Sequence, residues 1–229
     1  DHCARRALVV SSFVEILLAL GAATVYGTAD YCGGRASRTV PPMVVTFLGQ
    51  CAGFLVLLAI TLASGAQTPP LSDWLWGGVA GFIGAAGLLA FYRAMGSRYM
   101  TVVAPVSAVT ATAIPVVVGL STGERPGVLA LLAIPIAVIA IALVSDVMGP
   151  DHRRAPRIVL VLAFIGGCAF GSLFVILGHT NSDGGLWPVV AMRLTSIPFM
   201  FAIIRTRRQS MAPARPRLLV VLSSGILDS

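Results

Sequence analysis

Long apolar stretches separated by short polar or proline-containing breaks run through this chain from end to end. Seven of them reach roughly 20 residues, the length that a helix needs to cross a hydrocarbon core of about 30 Å. They cover residues 13–34, 40–64, 74–96, 99–120, 127–147, 157–178 and 186–204. The pattern predicts an all-α, polytopic helical membrane protein with about seven complete transmembrane helices.

An eighth apolar stretch is shorter than the others. Leu218–Leu227 supplies only about half of the residues that a spanning helix requires, and the chain begins with Asp1 rather than with methionine. These two features lead us to expect a fragment that is C-terminally truncated within its eighth helix.

The composition agrees with a lipid environment. Hydrophobic residues make up 57% of the chain and charged residues only 11%, which lies outside the range of soluble domains. All 16 basic residues are arginines, and most lie in the connections between apolar stretches, as expected for orientation signals and headgroup contacts. No basic stripe carries interleaved aromatic residues, so nucleic acid is not expected as a partner.

Signals for catalysis are weak. Cys3, Cys32, Cys51 and Cys168 have no paired spacing, and the histidines have no second histidine at a metal-ligand spacing. No Walker motif is present, so we expect no cofactor, no metal and no enzyme activity. An ion gradient, such as H⁺, or the solute gradient itself is then the expected energy source.

The first and sixth stretches resemble each other. Leu18-Ala19 followed by Tyr26-Gly27-Thr28 matches Leu162-Ala163 followed by Phe170-Gly171-Ser172 at one common offset of 144 residues. This offset predicts a five-helix repeat over residues 13–147 and an incomplete second copy over 157–229. Because five is odd, the second copy would enter the membrane from the opposite side, which makes the repeats inverted. Chance similarity between helices rich in small residues is the alternative.

Several motifs resemble the EamA-type transporters of the drug/metabolite transporter (DMT) superfamily. They are Ala90–Gly96, Val103-Ala104-Pro105-Val106, Ile114-Pro115-Val116 and Gly123-Glu124-Arg125-Pro126, with Tyr26-Gly27 resembling the Trp-Gly pair of the family's first helix. The resemblance implies ten helices in two inverted repeats around a central cavity. It also implies secondary transport of small metabolites or drugs by alternating access, with efflux the expected direction, in a bacterial inner membrane. The alternative is a non-transporting membrane scaffold or an inactive transporter fragment.

Orientation and oligomeric state are left open by the sequence. Twelve arginines fall on the connections of one face, and the positive-inside rule places that face in the cytoplasm and the N-terminus outside. The resemblance implies the reverse, because family members commonly keep both termini in the cytoplasm.

Two charged residues within apolar stretches are candidates for solute or proton contact. Glu15 and Asp30 are too close for both to lie outside the bilayer, so Asp30 is a candidate for proton coupling, with pairing to Arg35 or Arg38 as the structural alternative. Arg193 lies within the seventh stretch and is a candidate substrate contact, with snorkelling to the headgroups as the alternative.

The remaining candidates are aromatic, proline and turn residues. Tyr26 and Tyr92 are candidate cavity aromatics, although packing roles are also open. Pro105 and Pro115 would each free a backbone carbonyl and act as helix hinges. Glu124 precedes the fifth stretch and is expected to cap it. The glycines of the third stretch, together with Gly167 and Gly171, are expected to bring helices close together.

Overall fold

The computed structural model describes residues 2–124, 127, 132, 135–136, 139–140, 143, 155–180, 184–208 and 215–227. Helices dominate these residues, and no strand occurs among them, which confirms the all-α prediction for the described part of the chain. The helices are α1 His2–Ala36, α2 Pro42–Ala63, α3 Leu71–Met95, α4 Met100–Ser121, α5 Arg157–Leu177, α6 Trp187–Thr206 and α7 Arg215–Leu227.

Within the described residues, five helices are long and apolar enough to cross a membrane. They are α2, α3, α4, α5 and α6. Helix α1 is not in this set, although it is 35 residues long, and α7 has only 13 residues. The predicted span at 127–147 lies largely outside the described residues. The count of seven complete transmembrane helices therefore stays a prediction.

Prolines begin several of the helices. Pro42 opens α2, Pro188 lies in the first turn of α6, and Pro70 and Pro156 immediately precede α3 and α5. Proline suits these positions because the first amides of a helix have no intrahelical acceptor. After α2 the chain turns at Gly65, whose φ of 65° lies in the left-handed region that glycine adopts without steric cost.

Glycines in α3 let two other helices approach it closely, which confirms the expected packing role. A methyl group on Gly77 would meet the carbonyl of Pro188, and one on Gly81 would meet the carbonyl of Met192. Because the residue numbers of the contacting pairs rise together along both helices, α3 and α6 run parallel. A methyl group on Gly87 would meet Ala169 on the other side of α3, where α5 runs antiparallel.

Helix α5 also packs along α4. A Cβ on Gly167 would lie 2.6 Å from the carbonyl oxygen of Ser107, and a Cβ on Gly171 would lie 2.7 Å from Cβ of Ile114. Helices α1 and α2 complete the arrangement by packing against α7, and α2 also packs against α6. The buried apolar cluster takes residues from all seven of these helices, among them Val44, Phe91 and Val103.

Candidate functional site

Arg193 lies inside the bundle near the middle of α6. Its side chain is only 5% exposed, so it does not extend to the lipid-facing surface. The neighbouring residues Met192 and Thr195 pack on Gly81, and the Thr195 hydroxyl donates a hydrogen bond of 2.9 Å to the carbonyl of Gly78. A guanidinium at this depth is costly unless it contacts polar groups. The role of Arg193 as a substrate contact stays a prediction.

Helix α2 carries two buried polar side chains that the sequence analysis missed. Thr46 and Gln50 lie one turn apart, and both are almost fully buried. Thr46 Oγ1 and Gln50 Oε1 have no hydrogen-bond partner among the described residues. Because most buried polar atoms in proteins are paired, these two oxygens mark a place where a polar partner fits. Neither residue interrupts the apolar composition of the stretch enough to give a sequence signal.

Asp30 lies where α1 crosses α3. It is half-buried and shares one face of α1 with Tyr26, four residues before it, and Gly33, three residues after it. The ring of Tyr92 packs against Gly33 so closely that a Cβ there would overlap it. Tyr92 is 3% exposed, whereas Tyr26 is 55% exposed. Tyr92 therefore meets α1 at Gly33, one turn after Asp30, and Tyr26 lies on the surface of α1; the coupling role of Asp30 stays a prediction.

The structure does not bring Arg193 to the same level as this group. Arg193 follows Met192, which packs on Gly81, whereas Asp30 lies one turn before Gly33, which packs on Tyr92. Gly81 and Tyr92 are eleven residues apart in α3, which corresponds to about 16 Å along a helix axis. The candidate residues thus form an inner position at Arg193 and a second position at Asp30 and Tyr92, nearer the end of α3.

Both predicted hinge prolines lie inside α4, which continues through Pro105 and Pro115 as helix. Pro115 cannot donate to the carbonyl of Ala111 one turn earlier. That carbonyl oxygen lies 2.9 Å from the position of a Cβ on Gly171 in α5. The proline thus coincides with a close contact between two helices, and its hinge role stays a prediction.

Glu124 folds back onto the end of α4. Its amide donates a 2.9 Å hydrogen bond to the carbonyl of Gly119, after a turn at Gly123 with φ of 89°. Its carboxylate lies 2.6 Å from the position of a Cβ on Gly119. The residues that follow lie mostly outside the described part of the chain, so the expected cap of the next helix stays a prediction.

Asp73 is a buried carboxylate that directly precedes the predicted third stretch, 74–96. Helix α3 begins at Leu71, so Asp73 lies in its first turn, where the helix dipole favours a negative charge. It is 1% exposed and accepts a 3.2 Å hydrogen bond from the Ser72 hydroxyl. Asp73 lies four residues before Gly77 and therefore on the same face of α3, the face that packs on α6. This spacing is the sequence signal for its burial.

Arginines gather at one end of the bundle. The ends of α1 and α3 meet there, since a Cβ on Gly96 would lie 2.7 Å from the carbonyl oxygen of Ser37. Helix α6 ends at the same side because it runs parallel to α3, and α5 begins there because it runs parallel to α4. The described arginines of this end are Arg35, Arg38, Arg93, Arg98, Arg157, Arg205, Arg207 and Arg208.

No group of histidine, cysteine or acidic side chains among the described residues is arranged to hold a metal ion. The arrangement consists instead of apolar helices with isolated polar side chains between them.

Comparison with known protein families shows which family this chain belongs to. The model of the EamA-like transporter family matches residues 13–146, which is more than half of the sequence. The chain therefore belongs to the EamA-like transporter family, whose members are membrane transporters of small molecules and not enzymes. It is an integral membrane protein with a lipid environment. No curated protein and no solved structure matches it.

Proposed function

We propose that the chain acts in secondary transport, moving small metabolites or drugs out of the cell by alternating access. It would reside in the inner membrane of a bacterial cell and use an ion gradient such as H⁺, with no cofactor. The family match over residues 13–146 supports the transporter class. Alternating access rests on one further observation, the reciprocity of the helix contacts.

Reciprocity means that a contact between the repeats has a counterpart when the repeats are exchanged; three contacts have one, and that of α4 with α5 has none among the described residues. Under the 144-residue offset, α1, α2 and α3 of the first repeat (13–147) correspond to α5, α6 and α7 of the second (157–229). The contact of α3 with α5 then corresponds to that of α7 with α1, and the contact of α3 with α6 to that of α7 with α2. The contact of α2 with α6 corresponds to itself. A twofold axis in the membrane plane produces such a set.

One pair of glycines supports the same correspondence at the level of residues. Gly81 in α3 packs on the carbonyl of Met192 in α6. Its counterpart at the 144-residue offset is Gly225 in α7, which packs on the carbonyl of Gly49 in α2. Gly49 corresponds to Arg193, the neighbour of Met192. The two interfaces thus use equivalent glycines and equivalent segments of the partner helix.

In this proposal the inner position binds solute. Arg193 would contact an acidic or polar group of the solute there. The oxygens of Thr46 and Gln50, on the part of α2 where Phe47 meets Phe201, would accept hydrogen bonds from the solute nearer the end of α6. Tyr92 and Tyr26 would contact its apolar part at successive stages. Asp30 would take up and release the coupling proton, and Pro105 and Pro115 would let α4 bend. Glu124 would cap the helix that follows it.

Solute-dependent thermal stabilisation tests the binding role. A ligand that binds only the folded state raises the apparent stability, by about 2.7 kcal/mol at a concentration of 100 Kd. We expect at least one member of a metabolite panel to raise the Tm of the reconstituted protein. Arg193→Gln should weaken that ligand by roughly 1.5–3 kcal/mol, the net contribution of a hydrogen bond to a charged group.

Arg205→Gln is the matched control, because it makes the same change on the same helix at an exposed position. It should leave the ligand-dependent shift in Tm unchanged. The proposed inner site would be contradicted if no solute of the panel raised the Tm. It would also be contradicted if Arg193→Gln and Arg205→Gln reduced the ligand-dependent shift in Tm equally.

A further inference from the structure

Two segments that carry arginines meet where α1 ends and α4 begins. A Cβ on Gly96 would lie 2.7 Å from the carbonyl oxygen of Ser37. One residue after Ser37, Nη2 of Arg38 lies 4.0 Å from Sδ of Met100. Arg98 lies between Gly96 and Met100, in the turn that joins α3 to α4. These two contacts therefore hold the segment around Arg98 against the end of α1 that carries Arg38.

One face of α1 leads from the apolar region to this junction. Tyr31, Arg35 and Arg38 follow one another at spacings of four and three residues, so they share a face, and all three are exposed. Asp30 lies on another face together with Gly33, which packs on α3. The exposed face thus presents an aromatic ring followed by two cations.

The charges of this junction suit an anion. Among the described residues, the guanidinium of Arg38 meets only a weak acceptor, the thioether sulfur of Met100. Arg98 is exposed beside it. The carboxylates of Asp73 and Glu124 lie at the opposite end of the bundle, at the start of α3 and after the end of α4. A phosphate group can accept two parallel N–H groups from one guanidinium, so it fits this pair of arginines.

We propose that Tyr31, Arg35, Arg38 and Arg98 form a lipid site that binds the headgroup of an anionic phospholipid. The guanidinium groups of Arg38 and Arg98 hold the phosphate between the end of α1 and the start of α4. Arg35 adds a third positive charge on the same face of α1. Tyr31 lies one turn further from the end of α1 and contacts the glycerol and the upper part of the acyl chains.

The position of the lipid site favours a lipid over a soluble anion. Arg35 lies at the end of α1, and Arg98 lies two residues before α4, which is long and apolar enough to span a membrane. Arginines at the ends of such helices lie at the level of the headgroups. On the membrane side of the site, residues 16–28 of α1 are exposed and mostly apolar. A soluble phosphate would use the arginines alone, whereas a phospholipid also covers Tyr31 and this apolar surface.

A lipid titration with two double variants tests the lipid site. The chain is purified in a mild detergent and titrated with phosphatidylglycerol or with phosphatidylcholine of the same acyl chains. Native mass spectrometry counts the bound lipids at each concentration. The wild-type chain should bind its first phosphatidylglycerol about tenfold or more tightly than phosphatidylcholine. Arg38→Gln combined with Arg98→Gln should remove most of this preference, because the variant lacks both groups that hold the phosphate.

Arg205→Gln combined with Arg207→Gln is the matched control. It removes the same number of exposed arginines from the same end of the bundle but leaves the junction of α1 with α4 unchanged. It should retain the preference for phosphatidylglycerol to within about twofold, since general attraction between the arginines and anionic lipid is only slightly reduced. Glycerol 3-phosphate carries the anion without acyl chains and should bind the wild-type chain about tenfold or more weakly than phosphatidylglycerol.

Three results would overturn the lipid site. The first is equal affinity of the wild-type chain for the two lipids. The second is an equal loss of preference in the two double variants, which would show a general attraction to the arginine-rich end. The third is binding of glycerol 3-phosphate as tight as that of phosphatidylglycerol, which would show a site for a soluble anion.

Discussion

Gln50 and Thr46 are polar residues within a helix whose other residues are largely apolar. Their side chains are buried, and one oxygen of each has no partner among the described residues. An unsatisfied buried polar atom costs about 1–3 kcal/mol, so such residues are unfavourable for stability alone. A transporter gains from them when the solute supplies the missing hydrogen bond.

Replacing Gln50 separates stability from solute binding. Gln50→Leu should raise the free energy of unfolding by about 1 kcal/mol, because it removes an unsatisfied amide oxygen and retains a similar volume. It should also reduce the thermal shift that the solute produces. Thermal unfolding with and without solute measures both effects. Gln67→Leu, at an exposed position before α3, is the control and should change neither; a destabilised Gln50→Leu variant would contradict this reasoning.

Asp30 gives a different prediction because its proposed role is proton exchange. Asp30→Asn retains the size of the side chain but cannot ionise. Solute accumulation driven by a pH gradient should disappear, while exchange of labelled for unlabelled solute should continue at equal pH on both sides. Accumulation measured in proteoliposomes checks this. An Asp30→Asn variant that accumulates solute as the wild-type chain does would remove the coupling role.

At the scale of elements, α3 is the helix on which the others depend. One side accepts α6 at Gly77 and Gly81, and another accepts α5 at Gly84 and Gly87. Without water between lipid-embedded helices, close packing of small residues is a main source of association. Each of these glycines therefore contributes by the absence of a side chain.

Gly81→Ala should destabilise the bundle by about 1–3 kcal/mol, the usual cost of overpacking, because the new methyl group would meet the Met192 carbonyl and the Thr195 hydroxyl. Gly21→Ala is the matched control in α1, where nothing lies within 4 Å. It should have no effect or stabilise slightly, since alanine favours the helix by about 1 kcal/mol over glycine. Thermal unfolding in detergent compares the two. Equal destabilisation by both substitutions would contradict the packing described for Gly81.

The positions of the helices could be predicted from the sequence, but their packed faces could not. Residues 40–64 were expected to span the membrane, and α2 occupies Pro42–Ala63, because hydropathy and proline positions are local properties. The hydrogen bond from Ser107 to Ala163 joins residues far apart in sequence. Helices that are apolar on every side carry no periodic signal for the buried face. Burial of Gln50 and Thr46 was missed for that reason, and that of Asp73 because the third stretch was predicted to begin one residue after it. Arg193 was found because a charge in an apolar stretch is itself a signal.

At the scale of the whole molecule, two features define the proposed transport cycle. In the proposed cycle, the contacts of α3 with α5, of α3 with α6 and of α2 with α6 have counterparts under exchange of the repeats, and an equivalent rearrangement would open either side of the membrane. The described arginines of the connections gather at one end, which the positive-inside rule assigns to the cytoplasm. Arg193 is the inner basic residue between these ends, and it lies close to the glycine contact through which α3 and α6 meet.

Counterflow in proteoliposomes tests alternating access most directly. Vesicles holding the wild-type chain are loaded with an unlabelled solute that stabilises the protein, and a trace of the same solute, radiolabelled, is added outside. We predict a transient accumulation of label above equilibrium that Arg193→Gln abolishes and Arg205→Gln leaves intact. Label that only equilibrates, at the rate seen in vesicles without protein, would contradict the proposal that this chain carries solute.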